Sequence, residues 1–180
     1  MDYIEKIVEL EACDSSINWL ESHNFPTLQD AWNACERGDW MSWLIEHTME
    51  EVGDMEQHEK LVLAFIECLG LCKEMIPEDL MERATETALA SVRKEVSSED
   101  VRSLISDVSA VWEAVYPREM DANDAVIAVL SISRWPDNCY NGTEVVNLIS
   151  DVLDEDTPNV VTRRKCAEIF RKHFPNPPKL

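Results

Sequence analysis

Four glycines in 180 residues, with apolar side chains recurring every three or four positions, leave this chain little besides packed helices. Prolines and short polar side chains divide it into segments. The first helix is expected over about residues 3–12, with Ile4, Ile7, Val8 and Leu10 apolar. Asp14 is placed to cap a second, which carries Ile17, Trp19 and Leu20 and is broken by Pro26. Thr27-Leu28-Gln29-Asp30 has the form of a capping box and opens a third, with Leu28, Ala31, Trp32 and Cys35 inward. Gly38 reads as the end of that helix. Asp39 reads as the cap of a fourth, which sets Trp40, Trp43, Leu44 and His47 along one stripe.

A strongly apolar segment over about 55–75 follows, including Leu61, Val62, Phe65, Cys68, Leu69 and Cys72; its apolar positions wrap nearly all round, as a central helix requires. Gly70 weakens it by about 1 kcal/mol relative to alanine, which suggests a close helix crossing there. Pro77 suits a first helical turn, and the next helix is expected to run to about residue 95. Ser97 or Ser98 caps a helix through residue 116, Asp121 begins another, 134–142 reads as a loop, and Thr143 opens a helix to about 153. Thr157-Pro158 starts the last, which stops before Pro175. The expected fold is all-α: a compact single domain over 1–174, nine or ten helices in antiparallel hairpins, with an extended proline-rich tail at 175–180. Residues 126–132 are β-branched and short enough for a strand but have no convincing partner strand. Two echoes occur: Leu104-Ile105-Ser106-Asp107-Val108 returns at 148–152, and Trp19-Leu20 with His23 matches Trp43-Leu44 with His47. Both are too short to establish a repeat.

The 36 acidic and 16 basic residues give a net charge of −20. Such a balance argues against direct, non-specific nucleic-acid binding, which needs net cation. No apolar run reaches the roughly 18 residues of a membrane span, and the opening Met1-Asp2-Tyr3-Ile4-Glu5 carries neither a basic leader nor an apolar stretch. A cytoplasmic setting in a bacterial host cell is expected. The acid is uneven: residues 1–60 carry −12, 61–120 carry −6 and 121–180 carry −2. Glu46, Glu50, Glu51, Asp54, Glu56 and Glu59 form the densest run. Glu46 and Glu50 lie four apart on a helix, where like charges repel by a few tenths of a kcal/mol. A run kept without nearby lysines is either a solvated face or a surface in use. The late basic residues, Arg163, Arg164, Lys165, Arg171 and Lys172, offer an intramolecular seam to the acidic part or a homodimer contact.

The six cysteines, Cys13, Cys35, Cys68, Cys72, Cys139 and Cys166, read as reduced thiols and mostly small core residues. Cys68 and Cys72 share a helix face and could supply two metal ligands, but they lack a CxxC knuckle and a second ligand pair. Asn141-Gly142-Thr143 reads as a turn before a helix rather than a glycosylation site. No phosphate loop, HExxH, GxSxG or glycine-rich dinucleotide turn is present, and no cofactor is expected. His23, His47, His58 and His173 fall near helix ends or on amphipathic faces. Trp19, Trp32, Trp40 and Trp43 lie within 25 positions. Their first reading is as core rings whose indole N–H groups each find an acceptor, and their second is as anchors at an interface. Arg37 and Asp39 flank the turn between two helices and are expected to hold it by an ion pair or caps.

Ala12-Cys13 with Trp19, and then the run from Ala31-Trp32-Asn33-Ala34-Cys35 through Glu36-Arg37-Gly38-Asp39-Trp40-Met41-Ser42-Trp43-Leu44, resemble a family of phage and bacterial proteins described as immunity proteins of polymorphic toxin systems. The family's late motif is similar to Ala167-Glu168-Ile169-Phe170-Arg171 with Pro175. Phe170 stands where valine is usual, and Ser42 where an aliphatic residue is usual. The likeness covers about 12–44 and 165–175. It implies an all-helical fold in a phage or mobile-element setting and supplies no catalytic residues.

The expected function is therefore a non-catalytic, acidic inhibitor that binds and blocks a basic nucleic-acid-handling protein. The target would be a nuclease or CRISPR effector, as for an anti-CRISPR or other phage anti-defence protein. Charge provides steering and complementarity, with Glu46, Glu50, Glu51, Asp54, Glu56 and Glu59 as the partner-binding residues. An immunity protein against a bacterial nuclease toxin shares this mechanism. A small metal-dependent enzyme using Cys68, Cys72 and a histidine, and a virion structural protein, are the other classes.

Overall fold

A computed structural model describes residues 3–49, 55–110, 124–127, 129, 142–153 and 160–180. Among them every regular element is helical and there is no strand. The chain runs through α1 (Tyr3–Glu9), α2 (Asp14–His23), α3 (Leu28–Ala34), α4 (Gly38–Thr48), α5 (Met55–Leu69), a 3-10 segment (Gly70–Met75), α6 (Glu78–Val92), α7 (Ser98–Ala110), α8 (Gly142–Leu153) and α9 (Val160–His173). Residues 124–127 are also helical, so the strand considered for 126–132 does not form where the chain is described.

The all-α bundle encloses one core. Phe65 of α5 and Phe170 of α9 meet edge to face at its centre, with ring centroids 5.4 Å apart. Both are fully buried, as are Met41, Ile45, Leu61 and Ile149. Helices α4, α5, α8 and α9 pack on one another around this pair, and α6 and α7 extend the bundle from α5. No helix among the described residues is long and apolar enough to cross a membrane.

Local chemistry sets the boundaries. Thr27 Oγ1 accepts from the Asp30 N–H at 3.1 Å and so caps α3. Ser97 and Asp100 form a full reciprocal box: Ser97 Oγ accepts from the Asp100 N–H at 3.2 Å, and the Asp100 carboxylate accepts from the Ser97 N–H at 2.9 Å. The Ser97 hydroxyl, which donates to the Asp100 carboxylate at 2.6 Å, and the Ser97 N–H together hold the Asp100 pKa below its ordinary value. Asp14 does not cap α2; the N-cap is Cys13, with no side-chain bond. The apolar segment expected to run to 75 ends its α-helix at Leu69 and tightens into the 3-10 segment, with Cys72 out of helical geometry at φ −107° and ψ 20°. Pro77 stands at the N-cap of α6 rather than inside its first turn.

Two glycine readings are corrected. A Cβ on Gly70 would meet nothing within 4 Å, so no helix crosses there. Gly38 opens α4 instead of ending α3, and Arg37, not Asp39, occupies the N-cap. A Cβ on Gly38 would lie 2.6 Å from Cys166 Cβ and 2.9 Å from the Ala167 backbone nitrogen. The close crossing is therefore between the start of α4 and the middle of α9.

The segment beyond α9 has no regular secondary structure, with a bend at 175–176, and lies against the bundle. Trp32 Nε1 donates to the Phe174 carbonyl at 3.0 Å, Gln29 Nε2 to the Pro175 carbonyl at 3.3 Å and Lys6 Nζ to the Leu180 backbone oxygen at 2.7 Å. The two sequence echoes also separate. Leu104 is buried on α7 whereas Leu148 is only half-buried on α8, and Ile105 and Ile149 differ in the opposite sense, so the repeated letters face the core differently. On α2 and α4, by contrast, the Trp-Leu…His pattern recurs as structure. Leu20 and Leu44 are buried, and His23 and His47 place Nδ1 2.9 and 2.8 Å from the carbonyls of Trp19 and Trp43. Helical i,i+4 geometry suffices for that likeness.

Candidate functional site

The acidic run is only partly within the described chain. Glu50, Glu51 and Asp54 lie outside the described residues. Glu46 is half-buried on α4. On α5, Glu56 pairs with Lys60 at 2.6 Å, and Glu59 pairs with Arg93 from beyond the end of α6. That contact raises the Arg93 pKa above its ordinary value. The late basic residues do form a seam, to acids elsewhere in the chain. Arg164 meets Glu36 at 2.6 Å, while Lys172 and His173 converge on Glu67 at 2.7 and 2.8 Å. Hydrogen bonds from Lys172 and His173 depress the Glu67 pKa. Arg171 turns inward and donates to the Cys35 carbonyl at 2.5 Å, at the end of α3.

The same region of α2, α3 and α4 forms a cleft of about 420 Å³, completed by α8 and the start of α9. Trp19, Trp32, Trp40 and Trp43 line it, with Arg37, Asp39, Asn147 and Arg163 as its central polar groups. Asp39, only 3% exposed, holds Arg37 in a two-pronged fork, Nε to Oδ1 at 2.8 Å and Nη2 to Oδ2 at 2.5 Å. The ion pair expected across this turn is present. It raises the Arg37 pKa and leaves the guanidinium over the Trp40 ring, 4.3 Å from its centroid. The Asp39 carbonyl accepts from Ser42 Oγ at 3.0 Å and from Thr143 Oγ1 at 3.2 Å, tying α4 to α8.

The tryptophans divide by role. Trp32 is buried and its indole N–H is satisfied by Phe174, as a core ring requires. Trp19, Trp40 and Trp43 are half-buried, and no acceptor among the described residues takes their indole N–H groups. For these three the expectation of a paired indole fails. Trp19 is held by tilted contacts to Phe25 and Trp40, at 5.0 and 5.9 Å, and Trp43 by stacking on His47 at 4.4 Å. Arg163 and Asn147 could not have been assigned to this site from local pattern, because they come from α9 and α8. The cluster of tryptophans was the signal that could be read.

The thiols are mostly interior. Cys35, Cys68, Cys72 and Cys166 are buried, and Cys13 is exposed. Burial pushes the Cys35 and Cys72 thiols up to about 11. It raises Cys68 as well, and the neighbouring Cys166 thiol adds to the rise. Thiols held protonated are weak nucleophiles and ligands. Among the described residues, no group of three or more His, Cys, Asp or Glu side chains is placed to hold a metal ion. No protein-family model, curated protein or solved structure matches the chain.

Proposed function

We propose that this protein is an acidic, non-catalytic inhibitor that docks on a basic nucleic-acid-handling protein, such as a nuclease or CRISPR effector, and blocks it. The supporting observation is how its charge is disposed. Arg37, Lys60, Arg83, Arg93, Arg164 and Lys172 are all spent on intramolecular carboxylates. Along α6, Glu78, Glu82 and Glu86 are exposed four residues apart and enter no ion pair among the described residues. These six cations are thus held in ion pairs at the surface, while the chain keeps an excess of acid at net −20, which favours rapid capture of a cationic groove. The partner-binding surface is assigned to Glu46, Glu50, Glu51, Asp54, Glu56 and Glu59, of which Glu46, Glu56 and Glu59 lie within the described residues.

An immunity protein against a nuclease toxin is the second reading. Its support is that the two segments resembling that family meet in space: Arg171 bonds the Cys35 carbonyl, Gly38 abuts Ala167, and the tryptophan block of the first segment lines the cleft. Both readings are tested by association kinetics against basic nucleases, with and without bound guide or substrate, at low and high salt. Replacing Glu46, Glu50, Glu51 and Asp54 together by lysine should slow association at least tenfold while the fold persists. An unchanged rate, and no loss of rate with salt, would remove the acidic surface from the mechanism.

A further inference from the structure

Besides Asp39, three charged side chains line the cleft, and they differ in what remains open to them. Arg37 is spent on the Asp39 fork. Arg163 donates through Nη2 to Asn147 Oδ1 at 2.9 Å, and its Nε has no access to solvent. Glu11 is exposed in the turn between α1 and α2 and has no hydrogen-bond or ion-pair partner among the described residues. Its backbone is left-handed, at φ 65°, with the N–H on the Val8 carbonyl at 2.9 Å, so the side chain leaves the turn from a defined place. The Glu11 carboxylate is therefore open to a cation arriving from outside.

The surrounding field favours the same visitor. Between Tyr3 and Met49 nine carboxylates are set against two cations, Lys6 and Arg37. Lys6 is turned to the Leu180 backbone oxygen and Arg37 to Asp39. Such a surface repels anions and draws cations towards it.

The aromatic wall completes the match. Trp19, Trp40 and Trp43 are half-buried, and one guanidinium already lies over an indole: Arg37 is 4.3 Å from the Trp40 ring centroid. That contact joins a cation, a carboxylate and a tryptophan ring. No cation stands over Trp19 or Trp43 among the described residues. Together with Glu11 they offer an incoming cation the same two components. The volume of about 420 Å³ lies in the range of sites that enclose a small molecule, roughly 300–1,000 Å³, so it admits one long side chain and an apolar neighbour rather than a whole helix.

We propose that the cleft receives an arginine or lysine side chain carried on an apolar segment of the basic partner, with the cation held by Glu11 and the tryptophan wall. The identity of that partner rests on the inhibitor reading above, to which the cleft adds a shaped contact beside the acidic run.

Acetyl-Leu-Arg-Leu-amide beside its citrulline form, and acetyl-Leu-Lys-Leu-amide beside its acetyl-lysine form, are titrated into the full chain and followed by the indole N–H resonances. At least one cationic peptide should bind one-to-one, more tightly than about 1 mM, and at least fivefold more tightly than its neutral form. It should shift the signals of Trp19, Trp40 or Trp43, and added salt should weaken it. Glu11→Gln should bring the charged-to-neutral ratio below twofold. Glu21→Gln, which removes an exposed carboxylate of α2 outside the cleft, should leave the ratio unchanged. If Glu11→Gln fails to fold, as judged by circular dichroism, the ratio in the parent decides. No cationic peptide bound at 1 mM, equal binding of charged and neutral peptides, or equal losses in the two variants overturns the proposal. Peptide binding without capture of any basic nuclease upholds the cleft and removes the inhibitor reading, whereas nuclease capture without peptide binding overturns the cleft alone.

Discussion

The substitution Gly38→Ala tests the packing on which the cleft depends. Alanine favours a helix over glycine by up to about 1 kcal/mol, so propensity alone makes the change stabilising. Packing says the reverse. The added Cβ would stand 2.6 Å from Cys166 Cβ, 2.9 Å from the Ala167 nitrogen and 3.1 Å from the Arg163 carbonyl oxygen. Two of these three atoms are backbone of α9, so no rotamer change relieves the clash and the helices must move apart. Overpacking of this kind costs about 1–3 kcal/mol. For a chain of this length each kcal/mol corresponds to about 2–4 °C in Tm, so a net fall of several degrees is expected. Gly70→Ala is the matched control: nothing lies within 4 Å, and the variant should equal or exceed the parent. Denaturant and thermal unfolding of the three proteins, with unchanged m values, check the pair. A Gly38→Ala protein as stable as its parent would refute the close α4–α9 crossing. Because α9 also carries Arg163, the same variant should weaken any ligand held in the cleft.

Asp39→Asn should destabilise by about 2 kcal/mol in urea unfolding, since a charge-assisted fork to a half-buried guanidinium is lost. Arg37→Lys should recover little, because an ammonium cannot reproduce two parallel bonds. Glu67 has its pKa lowered by Lys172 and His173, so its contribution is fully present above the ordinary glutamate range and is lost as pH falls through the depressed folded value. Unfolding midpoints measured from pH 6 down to pH 2 should therefore decline less steeply in Glu67→Gln than in the parent. In a Cys139→Ser background, a thiol reagent should modify Cys13 rapidly and Cys35, Cys68, Cys72 and Cys166 only on unfolding. Fast labelling of more than one thiol would contradict the burial of the core cysteines.

Helix content was legible because periodicity is local, and so were the caps at Thr27 and Ser97, whose partners lie three residues away. Local chemistry also misled. Gly38 followed by Asp39 has the letters of a helix end and a new cap, yet Arg37 takes the Asp39 carboxylate, and the helix begins two residues earlier. Gly70 sat in the most apolar segment and drew the expectation of a crossing. The crossing fell at Gly38 because the helix that needs the space is more than 120 residues further along the chain. The acidic run was visible as composition, but which acids are paired depends on Arg93 folding back onto Glu59. The cleft needed Asn147 and Arg163 from two late helices, and no spacing in the sequence connects them to the tryptophans.

The bond from Lys6 to Leu180 joins positions 174 apart in sequence. The described chain is thus close to a closed circuit, with its first helix and last residue side by side. A short peptide could bridge them and the backbone be cut at another exposed turn with the same neighbours retained. During synthesis the order matters more: α1 is made long before Leu180, so it gains this anchor only after 174 further positions have been added.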